Sequence, residues 1–244
     1  MSSADTKPLS TFLERLNASL KVAGTEAELQ AQARKEHEQV QMALLRTRLA
    51  DWGVGLKERL AVLDRKNLVR TKAIGYVVDA LKKRLSPVVL WGGTGAGKSV
   101  AAACWLSQTA RLPVTTAELG TSWQWDSRTK FATVFDLQRR ARSFDPKDRA
   151  WMDDVLHCRA LVLDDLGQEA GDLRAQVSEV IFERHRQGRL TCITTNLSPE
   201  AFASRYDDRN VSRILEAGAF LDCGSTDLRA PSPASPVALV GGAR

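Results

Sequence analysis

An apolar run, Val88-Val89-Leu90-Trp91, leads directly into Gly92-Gly93-Thr94-Gly95-Ala96-Gly97-Lys98-Ser99, and a helical pattern with Ala101, Ala102, Ala103 and Leu106 follows. Glycines admit positive φ and let successive backbone N–H groups approach an anion. The start of the following helix adds its partial positive charge. The stretch has the form G-x-x-x-x-G-K-S, which closes a buried strand, opens a helix and wraps phosphates. In it Lys98 reaches the β- and γ-phosphates and the Ser99 hydroxyl binds Mg²⁺. The nucleotide contacts expected are therefore Gly92, Gly93, Thr94, Gly95, Ala96, Gly97, Lys98, Ser99 and Val100, with ATP and Mg²⁺ as cofactors.

The residues around this loop read as an α/β domain from about residue 51. Short apolar or β-branched runs at Val88–Trp91, Val114–Thr116, Ala160–Asp164, Leu190–Thr194 and, more weakly, Ala219–Asp222 alternate with helical stretches such as Ser99–Leu112 and Leu173–Gln187. That alternation signals parallel strands joined by crossover helices. Residues 1–50 read differently, as helical and poor in core. Thr11-Phe12-Leu13-Glu14 has capping-box form, and Thr25-Glu26-Ala27-Glu28 starts a second helix the same way after Gly24. The second helix carries only Val40, Leu44, Leu45 and Leu49 as an apolar stripe, so it packs on the next domain or serves a partner. Residues 230–244, with Pro231-Ser232-Pro233-Ala234-Ser235-Pro236, read as a disordered tail. Three segments are thus expected: 1–50 helical and partner-binding, 51–229 the nucleotide domain, and 230–244 the tail.

Composition narrows the class. A net charge of +6 suits an anionic partner such as nucleic acid, and equally a slightly basic solvated surface. The four cysteines form no C-x-x-C pair, so neither zinc nor a disulfide framework is expected. No signal peptide is recognisable at Met1-Ser2-Ser3-Ala4-Asp5, and no apolar run approaches the ~20 residues that span a bilayer. A cytoplasmic protein is expected, without membrane partners.

Beyond the loop, Ala160-Leu161-Val162-Leu163 ends in Asp164-Asp165. At a strand end beside a phosphate loop, Asp164 would hold Mg²⁺ and Asp165 would act on an attacking water. Two solvated acids would look the same in isolation. Asn196 follows Leu190-Thr191-Cys192-Ile193-Thr194-Thr195, where ligands bind in open α/β sheets. It reads as a partner of the γ-phosphate or lytic water, or as a plain turn residue. Arg209 and Arg213 are spaced to share a helix face. Spacing alone favours a surface pair bridged to Asp207 or Asp208.

Four of these stretches in order resemble one family. Trp91–Ser99, Leu161–Glu169 (L-V-L-D-D-L-G-Q-E), Ile193–Leu197 (I-T-T-N-L) and Asp208–Ile214 (D-R-N-V-S-R-I) are similar to the AAA+ ATPases of the DnaC/DnaI helicase-loader and IstB type, within the initiator clade. The resemblance implies a P-loop NTPase with a five-stranded parallel sheet flanked by helices, a helical N-terminal extension and little or no lid. It implies ATP hydrolysis in DNA-bound oligomers, with Asn196 as a sensor and Arg213 as an arginine finger assisted by Arg209 in self-assembly. Catalysis would then rest on Lys98, Asp164, Asp165, Asn196 and Arg213, and metal binding on Ser99 and Asp164. The function implied is loading of a replicative helicase, or alternatively an IstB-type helper ATPase acting with a transposase. The chain departs from the zinc-bearing loaders in lacking a cysteine-rich N-terminal module, and only Asp227-Leu228-Arg229 offers a second-sensor equivalent.

DNA, single-stranded in preference, is expected at Arg139, Arg140 and Arg142, within a basic cluster that also holds Arg128 and Lys130. A second cluster, Lys57, Arg59, Arg65, Lys66, Arg70, Lys72, Lys82, Lys83 and Arg84, precedes the phosphate loop. Trp123 and Trp125 could stack on bases but are expected to be buried instead. Phe131, Phe135 and Leu137 read as one packed helix face.

Overall fold

The computed structural model describes residues 26–64, 66–169 and 171–229. The helix expected from Thr11, the tail 230–244 and Arg65 lie outside the described residues. In chain order the elements are α1 (Glu26–Asp51), α2 (Leu56–Leu63), α3 (Lys72–Lys83), β1 (Val88–Trp91), α4 (Lys98–Thr109), β2 (Arg111–Thr116), β3 (Gly120–Trp125), β4 (Thr129–Thr133), α5 (Val134–Ala141), α6 (Pro146–His157), β5 (Ala160–Leu166), α7 (Gly171–Arg186), β6 (Leu190–Thr195), α8 (Pro199–Tyr206), α9 (Asp208–Ala217) and β7 (Ala219–Asp222). Among the described residues no helix is long and apolar enough to cross a membrane.

Two compact units divide the chain. Among the described residues, the first takes Glu26–Leu45 together with Leu112–Trp125. In it β2 and β3 pair as a two-stranded sheet. The Trp125 indole donates to the Gln41 carbonyl at 2.7 Å, and the His37 ring bonds the Trp123 carbonyl at 2.8 Å. Trp123 and Trp125 meet edge to face; Trp125 is buried, as expected, whereas Trp123 is only half-buried.

The second unit, Arg46–Arg111 with Asp126 onward, is built on a five-stranded sheet of order β4-β5-β6-β1-β7. Every neighbouring pair in it is parallel. Val88, Val89 and Leu90 in β1 and Leu161, Val162 and Leu163 in β5 are buried, as a sheet covered on both faces requires. The helices begin where the sequence offers caps. The Thr71 hydroxyl accepts from the Ile74 N–H at the start of α3, and Thr133 and Asp136 form a capping box on α5. Because the strands are parallel, the ends of β1, β5 and β6 open onto one edge, the place where such sheets bind ligands.

Two sequence readings are corrected. Val114–Thr116 is a strand, but it belongs to the two-stranded sheet; the outer place in the parallel sheet goes to β4. Thr129, Phe131 and Ala132 of β4 are buried, whereas Thr115 and Thr116 are exposed, so only β4 can serve a sheet covered on both faces. Phe131, Phe135 and Leu137 do not share a helix face: Phe131 is in β4, Leu137 is buried on α5, and Phe135 is exposed. Among the described residues no helix follows β7.

Candidate nucleotide-binding site

The loop between β1 and α4 is held open by three glycines in left-handed conformations, Gly92 at φ 139°, Gly95 at 83° and Gly97 at 81°. Only glycine adopts these freely. Gly97 also caps α4, whose first residues are Lys98 and Ser99. Lys98 is buried, and its ammonium donates to the carbonyls of Gly92 and Gly93, each at 2.8 Å, and to Asn196 Oδ1 at 2.9 Å. Burial pulls the Lys98 pKa below the usual lysine range, and the nearby charges of Asp165 and Asp164 oppose that pull. Lys98 and Asn196, far apart in the chain, therefore meet directly.

The consecutive acids of β5 are separated by an irregularity in the strand. Pairing with β6 shifts between Leu163 and Leu166, and Asp165 sits at φ 63°. This break lets Asp164 stay buried while Asp165 is exposed at the strand end. Burial raises the Asp164 pKa, against hydrogen bonds from the hydroxyls of Thr194 and Ser99. Thr194 occupies the centre of the arrangement. Its hydroxyl donates to Asp164 Oδ1 at 2.7 Å and accepts from the Asp165 N–H at 2.9 Å, fixing both acids to β6. The sequence reading passed over Thr194, although the Thr-Thr-Asn phrase contained it.

A buried carboxylate beside a hydroxyl is the oxygen donor set that suits Mg²⁺, which binds few protein ligands and completes its shell with phosphates and water. The penalty that burial places on the Asp164 charge is what a cation would offset. Among the described residues no cluster of three or more His, Cys, Asp or Glu side chains forms a complete metal cage.

The loop faces a cavity of about 720 Å³ that Thr94–Val100, Asp164, Asp165, Thr194 and Asn196 line. Its other wall, which the sequence reading missed, comes from Lys57, Leu60, Asn67, Leu68, Val69, Thr71 and Ile74 around α2 and α3. The segment after β7 closes the third side. There the Gly224 carbonyl accepts from the Gly93 N–H at 2.8 Å, and the Leu228 N–H donates to the Gly95 carbonyl at 3.1 Å. Leu228 and Arg229 line the cavity, so Asp227-Leu228-Arg229 lies against the loop.

The remaining candidates sit elsewhere. Arg209 and Arg213 lie on α9, outside this cavity, and line a second cleft with Arg174 and Arg205. Arg213 stacks over the Phe182 ring at 4.3 Å, while the mostly exposed Arg209 reaches Asp207 at only 4.0 Å. Arg139 and Arg142 are exposed around the end of α5. Arg140 is engaged within the fold, bonded to Asp148 at 2.5 Å and stacked on Trp151.

A solved structure of the same architecture exists. The crystal structure of the DnaC helicase loader matches with a TM-score of 0.52 over 69% of this chain and 99% of that one, at 24% identity. The chain has the AAA+ P-loop fold. The crystal structure of DnaI is similar at 19% identity over 71% of this chain and 89% of that one, with a TM-score of 0.47. AMPPCP-bound DnaA from Aquifex aeolicus is similar at 16% identity, over 61% of this chain and 44% of that one, with a TM-score of 0.44. No protein-family model matches the sequence, and no curated protein matches it significantly. At these identities the likeness concerns the AAA+ fold alone.

Proposed function

We propose that the chain is a DNA-replication ATPase of the DnaC/DnaI helicase-loader type, which binds and hydrolyses ATP with Mg²⁺ in DNA-bound oligomers. The observation that carries this reading is the contact between Lys98 and Asn196, with Asp164, Thr194 and Asp165 bonded together beside it. A loop that binds phosphate for storage needs no such gathering of acid and amide. An ATPase does.

In this reading Lys98 exchanges the Gly92 and Gly93 carbonyls for β- and γ-phosphate oxygens. Asn196 keeps its Oδ1 toward Lys98 and presents its amide N–H₂ to the γ-phosphate or to the attacking water. Asp165 positions that water and accepts its proton. Ser99 and Asp164 hold Mg²⁺, which would neutralise developing phosphate charge. Arg213 of a second copy supplies positive charge to the γ-phosphate, with Arg209 at the same contact. Arg139 and Arg142, which are exposed, contact single-stranded DNA more readily than the engaged Arg140. The N-terminal helical segment, residues 1–50, serves the helicase.

The test is steady-state ATP turnover with and without single-stranded DNA. Turnover should rise with DNA and fall by about a hundredfold or more in Lys98→Ala and Arg213→Ala. Unchanged turnover in Lys98→Ala would sink the assignment. Capture of a hexameric replicative helicase by the full chain supports the loader reading; capture of a transposase moves the same engine to the IstB-type role.

A further inference from the structure

Glu169 ends the Asp-Asp-Leu-Gly-Gln-Glu phrase, and the proposed hydrolysis gives it no task. It is nevertheless a buried carboxylate at 3% exposure, placed between two regions that matter. One oxygen, Oε2, accepts from the Gly167 N–H at 2.9 Å. Gly167 follows the acid turn directly, at φ 114°, with Leu197 packed where a side chain would otherwise stand. The other oxygen, Oε1, accepts from the Tyr206 hydroxyl and from Arg205 Nε at 3.4 Å. A second Arg205 nitrogen donates to the Glu169 carbonyl at 2.5 Å.

The far end of this link is as firmly built. Tyr206 is buried against Phe202, and its carbonyl accepts from the Asn210 side chain at 2.6 Å and the Ser178 hydroxyl at 3.2 Å. Asn210 belongs to α9, the helix of Arg209 and Arg213. Asp207, at φ 84°, ends α8 and caps α9, so the direction of α9 is set at the residue next to Tyr206. The near end is anchored by Thr195, whose hydroxyl donates to the Leu166 carbonyl at 2.7 Å. A single carboxylate thus joins the turn that carries Asp165 to the root of the arginine helix. Charge-assisted bonds of this kind are strong and directional.

We propose that Glu169 is a positioning residue that couples the acid turn of a subunit's own ATP site to the arginine helix which the same subunit offers to its neighbour. The proposal rests on the reading of the ATP site as shared between copies. One carboxylate holds the Asp165 turn through Gly167 and the root of α9 through Tyr206 and Arg205, so its loss loosens both faces of the subunit at once.

Subunit mixing tests this. A composite site takes its pocket from one copy and its arginine from another. Lys98→Ala spoils only the pocket and Arg213→Ala only the arginine, so a mixture of the two should regain turnover on single-stranded DNA. Glu169→Gln keeps side-chain volume but loses the carboxylate. It should lower kcat at least about tenfold, with the affinity for a fluorescent ATP analogue changed less than about twofold. It should also regain nothing when mixed with either Lys98→Ala or Arg213→Ala, because both of its faces are impaired. Recovery with one of them would place the defect on one face and overturn the coupling, as would native turnover of Glu169→Gln alone. If Glu169→Gln does not fold, Tyr206→Phe, which removes one hydroxyl from the link, enters the same mixtures: no recovery with either partner supports the coupling, and recovery with one overturns it. Failure of the control mixture would bring down the shared site itself, and this proposal with it.

Discussion

Arg184 is fully buried on α7, and among the described residues no carboxylate accepts its hydrogen bonds. Its guanidinium is solvated instead by the protein backbone. Nη1 donates to the carbonyls of Val155, Leu156 and Cys158, Nη2 to that of Leu190, and Nε to the Thr191 hydroxyl. The first of these carbonyls belong to the last turn of α6, where unpaired acceptors and the negative end of the helix dipole gather. Arginine suits the place because its planar fork spreads five donors and keeps its charge when buried. Burial draws its pKa down from the usual arginine range. Removing the fork leaves several buried acceptors unpaired at about 1–3 kcal/mol each. Arg184→Met should therefore lower unfolding free energy by about 3 kcal/mol, read from the urea midpoint at an unchanged slope. Arg184→Lys should recover only part of it. A midpoint equal to the native one in Arg184→Met would refute this account of how α6, α7 and β6 are joined.

At the scale of elements, the site is made by strand ends and by the segment after β7. Asp227 lies so close that a Cβ on Gly95 would come within 1.8 Å of its carboxylate. Gly95 also holds φ at 83°, a conformation that costs an L-residue about 1–2 kcal/mol. Gly95→Ala should therefore weaken binding of a fluorescent ATP analogue by roughly tenfold from the backbone alone, since each 1.4 kcal/mol is a factor of ten. Native affinity in that variant would show that the loop rearranges freely. The same elements show what a sequence discloses about a site. Lys98 and Ser99 are legible because phosphate wrapping needs contiguous glycines, lysine and hydroxyl in fixed order. Asp164 and Asn196 are legible as polar groups that end apolar strands. Thr194 and the wall from Lys57 to Ile74 are not, because a threonine near a strand end is ordinary until β5 is known to lie beside β6. Glu169 stood inside a recognised phrase, yet its partners Arg205 and Tyr206 come from a helix that no local pattern ties to it.

For the molecule as a whole, the alternation of apolar strands and helices foretold the parallel sheet, and the core strands β1, β5 and β6 fell near their expected places. The outer strand β4 did not. Thr129-Lys130-Phe131-Ala132-Thr133 mixes polar and apolar residues as outer strands do, whereas Val114-Thr115-Thr116 has strand character without specifying which sheet it joins. The excursion through β2 and β3 leaves the second unit after Arg111 and returns at Asp126, whose N–H donates to the Ala110 carbonyl at 2.7 Å. Exit and return are thus adjacent, the geometry that tolerates insertion or removal. Replacing residues 112–125 with a short glycine linker should leave cooperative urea unfolding of the parallel sheet intact. Loss of cooperativity would show that the sheet depends on the excursion. The bracing of Gly93 and Gly95 by residues 224–228 bears on how the protein is made. A ribosome releases the phosphate loop early and its brace among the last of the described residues, and domains emerge from their N-terminal side. A nascent chain that already displays Lys98 still lacks both β7 and the third wall of the cavity. On the ATP-site reading proposed above, competence for nucleotide arrives only once residues 224–228 have emerged and the third wall can close.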